Sequence, residues 1–396
     1  MRLSSFLTLT AATLALAHPG EKHDPAVLKR EIRARDAHAV KARDSLNSCS
    51  SSTEAVQLSQ RNVARRAQTT RDLRKSRGIT AKPQKWRRDL AALEKWEAVD
   101  HNKTGILNYS PKTAAEDIFG GKTSAILSPT VTDGPYYIWG ELTRSDVREE
   151  LYSDGIDVFL EVQYIDVNTC RPIPGAIVDI WNANATGVYS GVVATGNEPV
   201  DGWDSTYLRG IQQTNEDGIV NFETIFPGHY DGRATHTHLL THLNATVNHN
   251  NGTLQVGTGS VAHIGQLFWN EVLRSAVEEV SPYNTNTQAI TTNADDMWSI
   301  EQASDAFDPF PEYVYLGDTL EDGLFAWIQI GINVTADYTD NSYYSIAGYY
   351  DENGGHENTD SSAMGGGGGG GGGDGAPSGI PSGAIPSGTA APSSSA

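Results

Sequence analysis

Between residues 128 and 350 the chain reads as a succession of short strands, and this constrains its fold more than any other feature. Ile156, Val158, Leu160 and Val162 alternate with Asp157, Phe159, Glu161 and Gln163. A period of two places the aliphatic set on one face of a half-buried strand. A turn with two prolines follows over 168–174, then a second strand over 175–181. Further strands are expected over 219–225, 235–243, 261–268 and 324–334, with a short helix over 270–280. Many short strands broken by Gly, Pro and Asn predict a mainly β chain built on a β-sandwich. Trp181 is expected to fill the core between its sheets.

The flanks have a different texture. Residues 1–17 combine Arg2, an apolar stretch from Phe6 to Leu16 and the small-residue signal Ala15-Leu16-Ala17. That pattern predicts a secretory signal peptide, too short for a membrane span. Six N-x-S/T sequons, at Asn102, Asn108, Asn184, Asn244, Asn251 and Asn333, fit an extracellular route. Residues 18–100 form a basic segment, with helices expected over 53–78 and 89–99. Residues 18–48 carry few large apolar groups and are expected to be loosely ordered. Within them Lys29-Arg30 is a possible dibasic processing site. Residues 360–396, with nine consecutive glycines from Gly365 to Gly373, predict a disordered tail.

Charge divides the same way. The net −20 combines +1 from Arg2, +8 over residues 18–100 and −29 from His101 onward. An acidic main domain argues against nucleic acid as a partner. The basic segment is expected to fold back onto it. The two cysteines, Cys49 and Cys170, suggest a disulfide in a secreted chain, the alternative being two buried thiols.

The candidate chemistry starts at His236-Thr237-His238. On a strand, residues two apart share a face, so both imidazoles can reach one metal ion. Upstream lie Asp133-Gly134-Pro135-Tyr136-Tyr137, the run from Trp181 to Gly191 (WNANATGVYSG), Leu208-Arg209-Gly210 and Phe226-Pro227-Gly228-His229-Tyr230-Asp231-Gly232-Arg233. This order of blocks resembles the intradiol ring-cleavage dioxygenases, the group of the catechol and protocatechuate dioxygenases, and most of all their secreted fungal relatives.

The resemblance implies an iron(III) ion held by Tyr137, Tyr230, His236 and His238. It implies that Arg233 stabilises negative charge on the substrate and that Gln266 stands beside the site on a later strand. The substrates implied are a catechol-type aromatic diol and O₂, with the bond between the two hydroxylated carbons broken. Tyr230 is implied to leave the metal and accept a proton. The ligand set is chemically coherent. A tyrosine hydroxyl titrates near 10 in water, and a bound cation lowers that strongly. Two phenolates then neutralise much of a ferric charge, and two neutral imidazoles complete the shell. Tyr136 is expected to pack, Asp179 to be structural, and His229, His242 and His263 to lie near the site without binding the metal.

Two other readings fit the residues. One is a secreted β-sandwich that binds iron or aromatic compounds without turnover. The other is a copper site at His18, the residue exposed by cleavage after Ala17.

Overall fold

The computed structural model describes residues 25–79, 101, 118–119, 124–125, 132–149, 154–248, 253–254, 259–303, 308–340 and 344–359. The expected signal peptide, His18, the expected helix over 89–99 and the tail lie outside these, as do the sequons at Asn102, Asn108 and Asn251.

The strands are β1 (Ser124–Ala125), β2 (Ile138–Trp139), β3 (Asp157–Asp166), β4 (Ile177–Trp181), β5 (Arg209–Gln213), β6 (Ile219–Ile225), β7 (His236–Leu243), β8 (Val247–Asn248), β9 (Thr253–Leu254), β10 (Ser260–Phe268), β11 (Glu312–Tyr315), β12 (Leu324–Ile332), β13 (Gly348–Asp351) and β14 (Gly354–Glu357). The helices are α1 (Pro25–Cys49), α2 (Thr53–Ser76), α3 (Glu271–Glu278) and α4 (Met297–Gln302). One sheet has the order β1-β12-β3-β6, with β11 also paired to β12. The other is β10-β7-β4-β5, antiparallel throughout.

The two sheets pack through one apolar core. Val158, Leu160, Val162 and Tyr164 of β3 meet Val178 and Ile180 of β4, Leu239 of β7 and Leu267 of β10. The alternation in β3 thus sets which residues face the second sheet, as the period-two reading requires. The opposite face of β3 is covered as well, so the strand is not half-exposed. Helix α2 lies over it. Asn62 Nδ2 donates to Gln163 Oε1 at 2.6 Å, while Arg65 Nε and Arg66 Nε pair with Glu161 at 2.9 and 2.7 Å. The basic segment therefore does fold onto the acidic domain, and it brings its charges to a carboxylate whose side chain is wholly buried.

Residues 25–48 do not follow the expectation of loose order. They form most of α1, with Ala39, Ala42 and Leu46 packed against Leu58, Ile165, Val167 and Cys170. The i, i+3, i+7 spacing makes a helical stripe, and small alanines let the backbone approach closely. A search for large side chains passes over such a stripe. Cys49, the last residue of α1, is disulfide-bonded to Cys170 in the turn after β3. Lys29-Arg30 lies within α1. No helix of the described residues is long and apolar enough to cross a membrane.

The second sheet is also covered on both faces. Ile177 and Trp181 of β4, Leu240 of β7 and Ile264 of β10 form a separate cluster with Tyr136, Tyr137, Tyr189 and Tyr230. Trp181 belongs to this outer face and not to the core between the sheets, which corrects the sequence expectation. Its neighbour Ile180 points the other way, into the sandwich.

Candidate active site

The site is built on β7, whose eight residues are all buried. Alternation sends His236 and His238 to the outer face, and their Nε2 atoms lie 3.0 Å apart. His236 Nδ1–H donates to the Ala234 carbonyl at 2.6 Å, which leaves its Nε2 as a lone pair. Burial holds both imidazoles far below their ordinary pKa, with Arg233 adding to the effect at each and His236 adding to it at His238. Both are therefore neutral, the form that ligates metals. Trp181, opposite His238 in the β4–β7 register, stacks on its ring at 4.7 Å and 6°. Gly134, with φ +69, fits against the edge of the same ring, where a Cβ would lie 3.4 Å from His238 Cε1.

Two phenols converge on this pair. The hydroxyls of Tyr189 and Tyr230 lie 3.4 and 3.3 Å from His236 Nε2. The Tyr189 hydroxyl also donates to Tyr230. Each comes from a braced turn. In the turn after β4, Asn184 Oδ1 accepts from the amides of Thr186 and Val188, and the buried Asn197 accepts from the amide of Tyr189 at 2.7 Å. Gly187, with φ +81, passes so close to the His229 carbonyl that a Cβ would collide with it. The turn carrying Tyr230 follows β6. There His229 is held by Glu278 at 2.8 Å and by the Gln288 carbonyl at 3.0 Å. Burial raises the pKa of both phenols, and at Tyr230 the Arg233 guanidinium and its hydrogen bond work against that rise.

Arg233 and Gln266 complete the group. Arg233 Nε pairs with Asp296 at 2.9 Å, and its Nη2 donates to Gln266 Oε1. Gln266, opposite His238 on β10, donates in turn to the Thr132 carbonyl at 2.6 Å. Of the residues expected from sequence, the structure thus brings Tyr230, Arg233, His236, His238 and Gln266 together.

It does not bring Tyr137 there. That hydroxyl lies 3.3 Å from His242 Nε2 and donates to Asp179. His242 is four residues beyond His238, or ~13 Å further along the strand. Trp181 touches both rings, lying 5.0 Å from Tyr137 and 4.7 Å from His238. Tyr189 stands where the sequence reading put Tyr137. It lies inside the quoted block from Trp181 to Gly191, and the available signal was a tyrosine in the turn leaving the strand beside the histidine strand. Asp296 and Asn197 were missed as well.

The other candidates are engaged away from the histidine pair, except that both ring nitrogens of His263 are buried without a hydrogen-bond partner. Tyr136 stacks on Tyr189 at 4.5 Å. Asp179 accepts from His242 at 2.9 Å. His229 is engaged as described, and His263 lies buried against Gly265.

The donor set suits a hard, highly charged metal ion. Two neutral nitrogens 3.0 Å apart match the separation of two adjacent ligands each ~2.1 Å from one ion. His238 Nδ1 is buried without a hydrogen-bond partner. Among the described residues no group of three or more His, Cys, Asp or Glu side chains could hold a metal ion. The donors that extend the histidine pair are the phenols, which as phenolates are hard anionic oxygens.

Residues 132–251 match the dioxygenase family. The chain belongs to the intradiol ring-cleavage dioxygenases, and it is mainly β with a few helices. Catechol 1,2-dioxygenase 1 of Acinetobacter lwoffii is 30% identical over 118 residues, which is 29% of this chain and 34% of that protein. The chain therefore matches only 34% of that relative's length. An intradiol ring-cleavage dioxygenase from Tetranychus urticae is 32% identical, covering 53% of this chain and 96% of that one, with a TM-score of 0.44. Catechol 1,2-dioxygenase from Acinetobacter sp. ADP1, inhibited by bound mercury, is 19% identical, covering 58% and 69% with a TM-score of 0.36.

Proposed function

We propose that this chain is a secreted iron(III) dioxygenase that opens catechol-type aromatic diols between their two hydroxylated carbons. Tyr189, Tyr230, His236 and His238 would hold the metal. The observation that carries the reading is the convergence of two phenols on a pair of buried neutral imidazoles, with one guanidinium beside them. Bound iron(III) would gather both oxygens of the diol and make its ring reactive toward O₂.

The protein's own groups supply positioning and proton handling. Tyr230 receives hydrogen bonds from Arg233 and Tyr189, which favour its anionic form. It is the group suited to accept a proton from the entering diol. Arg233, fixed by Asp296 and Gln266, stabilises negative charge on the substrate as the ring opens. Tyr136, Tyr189 and Trp181 make the surroundings aromatic and buried, which strengthens each of these interactions. Secretion is supported by the N-terminal sequence, the sequons and the Cys49–Cys170 bridge.

The test is to load the purified protein with iron and offer a panel of simple diols. O₂ uptake with one ring-opened diacid formed per O₂ is the expected result. Tight binding of diols with no O₂ uptake would overturn the enzyme reading and favour a non-catalytic binding module.

A further inference from the structure

Arg233 is fixed by a residue that lies 63 positions later in the chain. The Asp296 carboxylate, its side chain 1% exposed, has each oxygen committed. Oδ2 accepts from Arg233 Nε at 2.9 Å and from the Ala234 amide at 2.7 Å. Oδ1 accepts from the amides of Trp298 and Ser299 at 2.8 and 3.3 Å, and so caps α4. One carboxylate therefore ties the start of a helix to the guanidinium and to the backbone two residues before His236. With Nε held from this side, Nη2 is directed to Gln266 and the guanidinium to Tyr230.

We propose that Asp296 is the positioning residue for Arg233, and that the rate of ring cleavage depends on Asp296 mainly through Arg233. The proposal rests on the dioxygenase reading above. A planar guanidinium on a long, flexible stem has many rotamers, and a charge-assisted bond to Nε removes most of them. The capped helix anchors the carboxylate, so the angle of the guanidinium is set by the scaffold and not by the substrate. Outer partners that orient metal ligands contribute about 10–100-fold, and an effect of that order is expected for a partner that orients Arg233 beside them. The sequence does not reveal Asp296, because its effect requires the loop before α4 to return to the end of the turn that carries Tyr230.

Asp296→Asn keeps the size of the side chain and an oxygen for the cap, and removes the charge that holds Arg233. With iron-loaded protein, kcat should fall by about 10–100-fold with little change in KM. In the Arg233→Ala background the same change should cost less than about threefold further, the share carried by the Ala234 amide. Asp295→Asn, at an exposed neighbour, should leave kcat at the wild-type value. A second readout uses the metal-free protein. The Arg233 Nε–H resonance should exchange slowly with water in the wild type and at least tenfold faster in Asp296→Asn. An Asp296→Asn enzyme with wild-type kcat would overturn the proposal. So would equal fold-losses in the presence and absence of Arg233, which would mark a general structural role. If wild-type protein opens no diol, the dioxygenase reading fails, and the exchange of the Arg233 resonance still decides whether Asp296 positions it.

Discussion

Tyr189→Phe and Tyr137→Phe each delete one hydroxyl from one apolar cluster, and the structure predicts opposite outcomes. Tyr137 donates to Asp179 and lies 3.3 Å from His242, away from the histidine pair. Its loss leaves a buried carboxylate with one donor fewer, at a cost of about 1–3 kcal/mol. For a protein of this size that lowers Tm by roughly 2–10 °C. Iron content should not change. Tyr189 is different. Its hydroxyl donates to Tyr230, which retains its hydrogen bond from Arg233, so the metal-free protein loses only ~1 kcal/mol. Iron binding, however, loses one of four donors. Removing mere supporting partners of metal ligands already costs 10–100-fold in affinity, so at least that loss is expected. The assay combines iron content after dialysis, visible absorption of the loaded protein and Tm of the metal-free protein. Tyr189→Phe should lose the phenolate-to-iron colour and most of the iron with its metal-free Tm nearly intact, and Tyr137→Phe should do the reverse. Bleaching by Tyr137→Phe alone would refute the assignment of Tyr189.

Three further outcomes follow from the fold. Replacing both Arg65 and Arg66 with Ala strands the buried Glu161 carboxylate and should cost about 3–5 kcal/mol in urea unfolding, with Glu161→Gln recovering part of the loss. Burial pushes the Glu161 pKa up, but Arg66 and Arg65 more than offset it and hold it below the usual 4.5. This contribution is therefore complete above the unfolded-state value and is lost as pH falls through the lower folded one, so acid titration should release α2 only below pH 4.5, seen as faster amide exchange over Thr53–Ser76. Cys49→Ser/Cys170→Ser removes a link closing 121 residues and should destabilise by up to ~4–5 kcal/mol, with α1 exchanging first; unchanged protection in α1 would contradict its role as the tether.

The sequence made the sandwich legible wherever apolar residues ran in short stretches bounded by Gly, Pro and Asn. β3 falls where alternation places it, and β4, β6, β7, β10 and β12 fall on the runs between those breaks. β5 was not legible because Arg209, its first residue, is buried by pairing with Glu141 at 3.1 Å, and no composition rule anticipates a buried arginine within a strand. α1 was missed because its contact stripe is built of alanines. At the site, the histidine pair is a local feature of one strand, and its spacing together with the neighbouring blocks made it readable. The tyrosines come from turns, where spacing carries no direction. The sequence reading takes Tyr137 and assigns Tyr189 no role; the register of β4 against β7 places Trp181 against His238 and the turn that follows, with Tyr189, over His236. Asp296 depends on a tertiary return of the chain and left no local signal.

The central claim is that this chain inserts both atoms of O₂ across the bond between two hydroxylated ring carbons. It is tested most directly by turning over a simple catechol with iron-loaded protein under ¹⁸O₂ and weighing the product. The account predicts a ring-opened diacid that carries both labelled atoms, one in each new carboxyl group. A product with the ring intact, or a diacid whose new oxygens come from water, would contradict it.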